Sequence, residues 1–471
     1  MTNNVAKKDN INKLSKPNEK KYILIMSVLA SFLSAFESSA LSVALPSIGK
    51  HFLINGVLQN WIPLSYILVV AVLSVPFGKL AGKFGLKKFF STGLIIFIIG
   101  LFFASFSTSA DMLIIARIIQ GISATMLYVT TLAMITEALP PNERGKGIGL
   151  NVSGVYIGLT LSSVIGGILT QNLGWASIFY ICIPIAVIVL LLALFKVSGD
   201  WKIDAKDKFD YIGAIIYSIA IFLVFYGFTI LNDLNGQISL IVGIIMFIIF
   251  IKWESRSEFP VFNLKLFKNP VFTSSSFAAL ITYLASFLVT YVLNYHLQYV
   301  NNYNPQTSGL ILITTPILMA IIAPFAGKLS DKINSQLLAA IGASFITIAM
   351  FILIFLDYGT SNEVIIFAML VQGIGFGLFS SPNTNAIMGA VPKKLSSVAS
   401  STVSTMRVMG QTLSLGMLTV IFTIIIGNVP IWNNLDGLIK SSHLALTFST
   451  ILCAISILCS LVGLKSKKNR S

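Results

Sequence analysis

The chain has 471 residues, of which 55% are hydrophobic and only 10% charged. A soluble protein of this size carries about 25% charge, so the composition argues against a soluble enzyme, and the net charge of +15 needs an explanation other than nucleic acid. Cys182, Cys453 and Cys459 offer no disulfide framework, and the scattered His51, His296 and His443 offer no metal site.

Residues 1–21 are polar, carry six lysines and lack the small-residue cleavage site of a signal peptide, so they predict a retained tail. Fourteen apolar segments follow, at about 22–46, 57–78, 90–106, 111–137, 146–169, 176–195, 210–231, 237–252, 271–295, 306–327, 335–356, 363–388, 397–426 and 443–464. Segments of this kind cross about 30 Å of hydrocarbon as helices, because backbone groups in lipid must be satisfied internally. The alternating pattern of a barrel strand is absent. With the N-terminus inside, 28 of the 32 Lys and Arg lie on the cytoplasmic side. Lys50 and Lys440 lie outside, and Arg117 and Arg407 fall within spans. That asymmetry fixes the orientation and accounts for the basic character, with a secondary attraction to anionic lipid. The expectation is an all-helical, multi-pass protein of the cell membrane with both termini cytoplasmic.

The first span contains Glu37, the one carboxylate in the interior of an apolar segment, the others falling in loops, tails or helix ends. A charged side chain there costs at least ~2.5 kcal/mol on insertion scales and marks a functional position. Dehydration favours the neutral acid, whereas a nearby guanidinium favours the carboxylate, so a conformational change can load and release a proton. The competing reading is an acid that only bonds a neighbouring hydroxyl such as Ser34. Arg117, in the fourth span, is the natural partner. Counting at 1.5 Å per residue puts Glu37 about 22 Å from the inner end and Arg117 about 9 Å from the outer end, at nearly one level. A structural arginine satisfied by carbonyls and water is the alternative.

Between spans two and three, Gly78 to Lys88 combines glycine with Lys79, Lys83, Lys87 and Lys88, either a cytoplasmic gate or a loop whose lysines only set topology. In span five, Gly154, Gly158, Ser162 and Gly166 recur every four residues, followed by Gly167. One helix face of small residues permits close helix approach, used either as a dry seam between the two halves that bends and limits proton leak or simply as tight packing. Arg407, in span thirteen, has no membrane acid in its half. It either attracts an anionic group or bonds carbonyls together with Gln411. By polarity within spans, Tyr66, Met126, Tyr156, Tyr291, Asn294 and Arg407 are candidates to line a central cavity.

Two internal matches reveal a repeat. Pro76-Phe77-Gly78-Lys79-Leu80-Ala81-Gly82-Lys83 corresponds to Pro324-Phe325-Ala326-Gly327-Lys328-Leu329-Ser330-Asp331-Lys332, and Ala116-Arg117-Ile118-Ile119-Gln120-Gly121-Ile122 to Ala368-Met369-Leu370-Val371-Gln372-Gly373-Ile374. The second copy keeps the orientation of the first, as in carriers that rock two halves about a central site. The expected organisation is a tail (1–21), a six-helix bundle (22–197), two extra helices with flanking cytoplasmic linkers (198–270), a second six-helix bundle (271–464) and a tail (465–471).

These residues together resemble the major facilitator superfamily, specifically its fourteen-span drug:proton antiporter branch. Phe36-Glu37 through Val43-Ala44-Leu45-Pro46 is similar to the branch's acidic first-span motif, where Glu37 takes the place of an aspartate. Gly78 to Lys88 resembles the superfamily's loop motif, with Gly85 inside it, and Gly327 and Asp331 belong to the second-half copy. Leu113 to Gly121 resembles the arginine motif, and Gly154 to Gly167 the antiporter motif. Gly174-Trp175 with Pro184, and Leu297-Gln298-Tyr299 with Ser308-Gly309-Leu310, fit the later connections. Gly82 stands where the loop aspartate is expected, Ala176 where the branch has arginine, and the fifth-span proline is missing. The resemblance implies two six-helix bundles plus two additional helices, no catalytic residues, and proton coupling at Glu37 and Arg117. It implies proton-driven efflux of amphipathic or apolar small molecules by a monomer, with no cofactor, metal or nucleic-acid partner. A dedicated carrier of one metabolite, in either direction, or a non-transporting receptor on the same fold are the alternatives.

Overall fold

The computed structural model describes residues 17–202, 209–257, 262, 264–330, 332–391 and 396–468. Fourteen helices in it are long and apolar enough to cross a membrane. The first bundle comprises α1 (Glu19–Phe52), α2 (Gly56–Phe84), α3 (Leu86–Ser105), α4 (Ala110–Ala138), α5 (Gly147–Leu173) and α6 (Ser177–Phe195). A hairpin follows, α7 (Tyr211–Thr229) and α8 (Leu234–Arg256). The second bundle comprises α9 (Pro270–Val300), α10 (Pro305–Ser330), α11 (Ser335–Leu353), α12 (Asn362–Gly389), α13 (Thr402–Ile425) and α14 (Leu435–Val462).

The repeat is visible in the packing. In the first bundle α1 packs on α5, and α4 receives both α2 and α3. Eight helices later α9 packs on α13, and α12 receives both α10 and α11. The bundles meet along two seams, α2 with α13 and α5 with α10. The hairpin runs along the first seam, where α7 touches both α2 and α13. A local defect in α2 explains that position. Pro76 has no N–H for the carbonyl of Val72, and Ser218 of α7 donates to that carbonyl at 3.2 Å while Tyr217 donates to Ala71 at 3.0 Å. The outer helix α8 leaves Ile238, Ile241, Ile245 and Ile248 exposed, as a lipid-facing helix should.

Several helices run past the boundaries expected from hydropathy. Helix α1 continues beyond Pro46 to Phe52, and α2 runs to Phe84 through the segment expected as a loop. Helix α9 ends in a π turn, His296–Val300. Hydropathy ends where the apolar run ends; the helix ends where its hydrogen bonds stop. For α2 that point is Gly85, whose φ of +113° suits glycine alone.

Candidate functional site

Glu37 and Arg117 form an ion pair within the first bundle, and both residues are fully buried. The same Arg117 nitrogen donates to Oε1 of Gln120 at 2.6 Å, and the guanidinium lies 4.2 Å from the centre of the Tyr66 ring. Helix register builds this cluster: Arg117 and Gln120 are three residues apart and share one face of α4. Oε2 of Glu37 and Nε of Arg117 are buried without a hydrogen-bond partner among the described residues. The pair is thus the one ion pair among the described residues, and it retains an unused acceptor on the acid. Ser34 does not bond the acid; its hydroxyl donates to the carbonyl of Ala30. Tyr291 of α9, in the second bundle, is close enough to feel both charges. In the second half the place of Arg117 is taken by Met369, so the charged machinery exists in one bundle only.

Just outward of the pair, side chains of α9 close over the Pro46-containing end of α1. Pro46 deprives the Ser42 carbonyl of its helical donor, and Asn294 Nδ2 donates to that carbonyl at 2.5 Å. Gln298 donates to Val43 at 2.8 Å and is tied to Asn294 at 2.9 Å. The Tyr299 hydroxyl bonds Pro46 at 3.2 Å, and Gln59 of α2 reaches Leu45 at 3.0 Å and Tyr299 at 3.1 Å. Tyr295 donates to Asn60 at 2.6 Å. All these side chains are buried. The outer ends of the two halves are therefore sealed by a polar zipper. Of its members, Gln298 and Tyr299 lie in the ninth-to-tenth motif and Asn294 was expected by polarity; Gln59, Asn60 and Tyr295 carried no local signal. The one available signal was Pro46, whose unpaired carbonyl four residues back demands a donor from elsewhere.

The inner motif is structured rather than loose. Gly78, Lys79, Gly82 and Lys83 lie within α2, and only Gly85 turns the chain. The acid missing at Gly82 is answered from another segment. Asp200 Oδ1 accepts from the Lys87 and Trp201 amides, both at 2.9 Å, at the start of α3, where a negative charge also suits the helix dipole. Lys87 Nζ holds the Val197 carbonyl at 2.6 Å, and Lys83 sits 5.4 Å from the centre of the Tyr211 ring. Gly327 faces Ser381, and Asp331 lies outside the described residues.

The small-residue stripe of α5 does not form the seam between the halves expected from its spacing; most of it packs on α1 within its own bundle. A Cβ at Gly154 would meet the Val28 carbonyl at 2.9 Å, at Gly158 the Phe32 carbonyl at 2.7 Å, and at Gly166 the Ala40 side chain at 2.8 Å. The stripe therefore presses against the stretch of α1 that carries Glu37. Ser162 is buried with its hydroxyl bonded to the Leu159 carbonyl at 2.7 Å. Gly167 alone of the set faces the other half, where a Cβ would meet the Pro305 carbonyl at 2.5 Å. Spacing gave the close approach but not the partner, since a four-residue stripe is satisfied by any neighbouring helix. Gly158→Ala is expected to cost about 1–3 kcal/mol by forcing backbone apart, read as a lower melting temperature of the purified protein. An unchanged melt would refute the close packing.

The six cavity candidates separate into three groups. Tyr66 and Tyr291 are buried beside the ion pair, and Asn294 belongs to the outer seal. Met126 is buried against Gly93 of α3. Tyr156 and Arg407 are partly exposed and close enough to interact electrostatically. Arg407 stacks on Tyr283, 5.1 Å from its ring centre. Sequence reading missed Tyr283, on which Arg407 stacks, and Tyr128, which lies within its electrostatic reach; tyrosines in apolar spans carry no distinguishing pattern. Among the described residues no group of three or more His, Cys, Asp or Glu side chains could hold a metal ion.

Comparison with known proteins adds the following. A family model described as Major Facilitator Superfamily matches residues 27–415. The riboflavin transporter RibZ of Clostridioides difficile is 32% identical, covering 83% of this chain and 85% of the relative. The lincomycin resistance protein LmrB of Listeria innocua is 25% identical over 94% of this chain and 97% of the relative. Multidrug resistance protein Stp of Mycobacterium tuberculosis is 27% identical over 84% and 74%. Among solved structures, an inward-facing, unoccupied bacterial homologue of the human lysosomal transporter Spinster superposes with a TM-score of 0.65 at 17% identity, covering 96% of this chain and 99% of that one. A D-xylose–proton symporter gives 0.63 at 14% identity, covering 91% and 96%.

Proposed function

The chain belongs to the Major Facilitator Superfamily, and from that premise we propose that it is a proton-coupled exporter of small amphipathic molecules in the fourteen-span drug:proton antiporter branch. It works in the cell membrane, as a monomer, by alternating access, with the proton gradient in place of any cofactor. The observation that carries this reading is the buried Glu37–Arg117 pair with an unused carboxylate oxygen. A buried acid held by a single arginine has two stable forms, and the choice between them depends on hydration and on the distance to the guanidinium. The outer seal lies about 7 Å outward of Glu37 at 1.5 Å per residue. Opening it admits water and protons from outside; closing it dries the acid and turns it toward the interior. Export is supported by the resistance names of two relatives.

A second reading has its own observation. The relative at 32% identity is named for one metabolite, riboflavin, so a dedicated carrier of one compound on the same proton machinery is the rival. Purified protein in vesicles with a proton-sensitive dye distinguishes the two. A broad compound panel releasing protons supports multidrug export, and a response to a single compound supports the dedicated carrier. No substrate-dependent proton movement with any compound would defeat both.

A further inference from the structure

We propose that the substrate site is cationic and accepts aromatic anions, with Arg407 reading the charge; this rests on the reading of the chain as a transporter and deepens it. Arg407 sits on α13, partly exposed within the body of the protein. Its guanidinium lies over the Tyr283 ring of α9, which in turn packs on Phe376 of α12 at 5.8 Å between ring centres. Among the described residues it has no ion pair and no hydrogen bond, and its Nε is buried without a partner. The carbonyl bonds expected of a structural arginine are not made. Tyr156 and Tyr128, of the first bundle, lie within electrostatic reach of it, and Tyr128 is 42% exposed although it lies in the middle of a mostly buried helix. Tyr156 also lies close to Ser380 of α12, in the second bundle.

By helix rise, Tyr128 lies about 15 Å and Tyr283 about 20 Å from the inner ends of their helices, and Arg407 and Tyr156 lie about 17 Å and 23 Å from Ser396 and Pro141, where the helices that carry them begin. The level is mid-membrane, inward of Glu37 and the outer seal. Two halves thus converge on an unneutralised positive charge set among aromatic rings. Such a site attracts an acidic group through charge-assisted hydrogen bonds from the planar guanidinium, and the tyrosines offer faces for ring stacking. It repels a cation. The one membrane acid gives a cation no alternative, because Glu37 is fully buried and engaged by Arg117. Substrate and proton therefore use separate charges in separate bundles and do not compete for one carboxylate. Exchange of a monoanion outward for a proton inward also moves charge in the direction that an inside-negative voltage favours.

The test uses three probes of one shape: naphthalene-2-sulfonate, the neutral naphthalene-2-sulfonamide and 2-naphthyltrimethylammonium. Equilibrium binding to the purified full-length protein, without a proton gradient, should rank the sulfonate at least tenfold above the neutral probe, with the ammonium weakest. Arg407→Gln should erase the ranking, Arg407→Lys should keep part of it, and Tyr283→Leu should weaken the neutral probe as well as the sulfonate. A wild type that fails to bind the sulfonate, or prefers the ammonium, would overturn the assignment. So would a sulfonate preference that survives in Arg407→Gln; should that variant not fold, an Arg407→Lys profile identical for all three probes to wild type overturns it instead. Because no gradient is applied, such a failure leaves proton coupling at Glu37 untouched.

Discussion

Vesicles carrying Glu37→Gln are expected to lose gradient-driven transport and substrate-dependent proton release, while the protein remains folded and still binds substrate. The expectation follows from what the substitution keeps. Glutamine preserves an oxygen acceptor for Arg117, and the guanidinium retains Gln120 at 2.6 Å and the Tyr66 ring at 4.2 Å. Removing a partner from a buried pair outright costs 3–5 kcal/mol. Here, with an acceptor in place, the loss of stability is about 1–3 kcal/mol, the scale of a weakened charged hydrogen bond. What disappears is the titratable proton. A proton crossing 100 mV delivers ~2.3 kcal/mol, equivalent to roughly 50-fold accumulation, and this driving force has no other acid through which to act. Facilitated movement down a substrate gradient should survive. Wild-type accumulation in Glu37→Gln would remove Glu37 from the coupling mechanism, and loss of both accumulation and folding would be separated from it by the melting curve.

Much of this arrangement was legible before any coordinates. Span count and the twofold repeat follow from hydropathy and the matched Gly78 and Gly327 segments, which are local or nearly periodic signals. The meeting of Glu37 with Arg117 also followed, because helix rise converts residue counting into depth and each charge has one candidate partner at its level. What stayed hidden depends on side faces and on long-range partners. Gly158 could have faced either bundle, and only the packing of α5 on α1 decides it. Asp200, the acid that caps α3, lies more than a hundred residues from Lys87 and in a polar linker that has no periodicity. Tyr128 and Tyr283 stand out only once Arg407 is seen near them. Hydropathy also stopped α1 at Pro46, although the helix continues because another helix supplies what the proline removes.

That supply leads to the second large effect. Asn294→Leu is expected to shift the protein toward a state open at its outer side. Ser42 cannot bond Pro46 within α1, so Asn294 is its donor; without it, a buried carbonyl is left unsatisfied at a cost of about 1–3 kcal/mol. Opening the outer side hydrates the carbonyl and removes the penalty, so the cost falls on the closed state alone. At 1.4 kcal/mol per tenfold, the equilibrium moves by roughly 5- to 150-fold toward opening. Gln298→Leu should act less strongly. Val43, which it serves, keeps its ordinary helical donor in Ser47 because α1 runs on to Phe52. The order of the two effects separates a proline-specific latch from a generally weakened interface, which would respond alike to both. Spin labels on the outer ends of α1 and α9 report the distance directly: Asn294→Leu should populate a longer separation, and Gln298→Leu should lie between it and wild type. Unchanged distances in Asn294→Leu would mean that the Ser42 carbonyl contributes nothing to closure, and the seal would then rest on Tyr295, Tyr299 and Gln59 instead. If the shift is present, transport should slow at the step that recloses the outer side, because the driving force for reclosing has been spent on an unsatisfied carbonyl rather than on moving substrate.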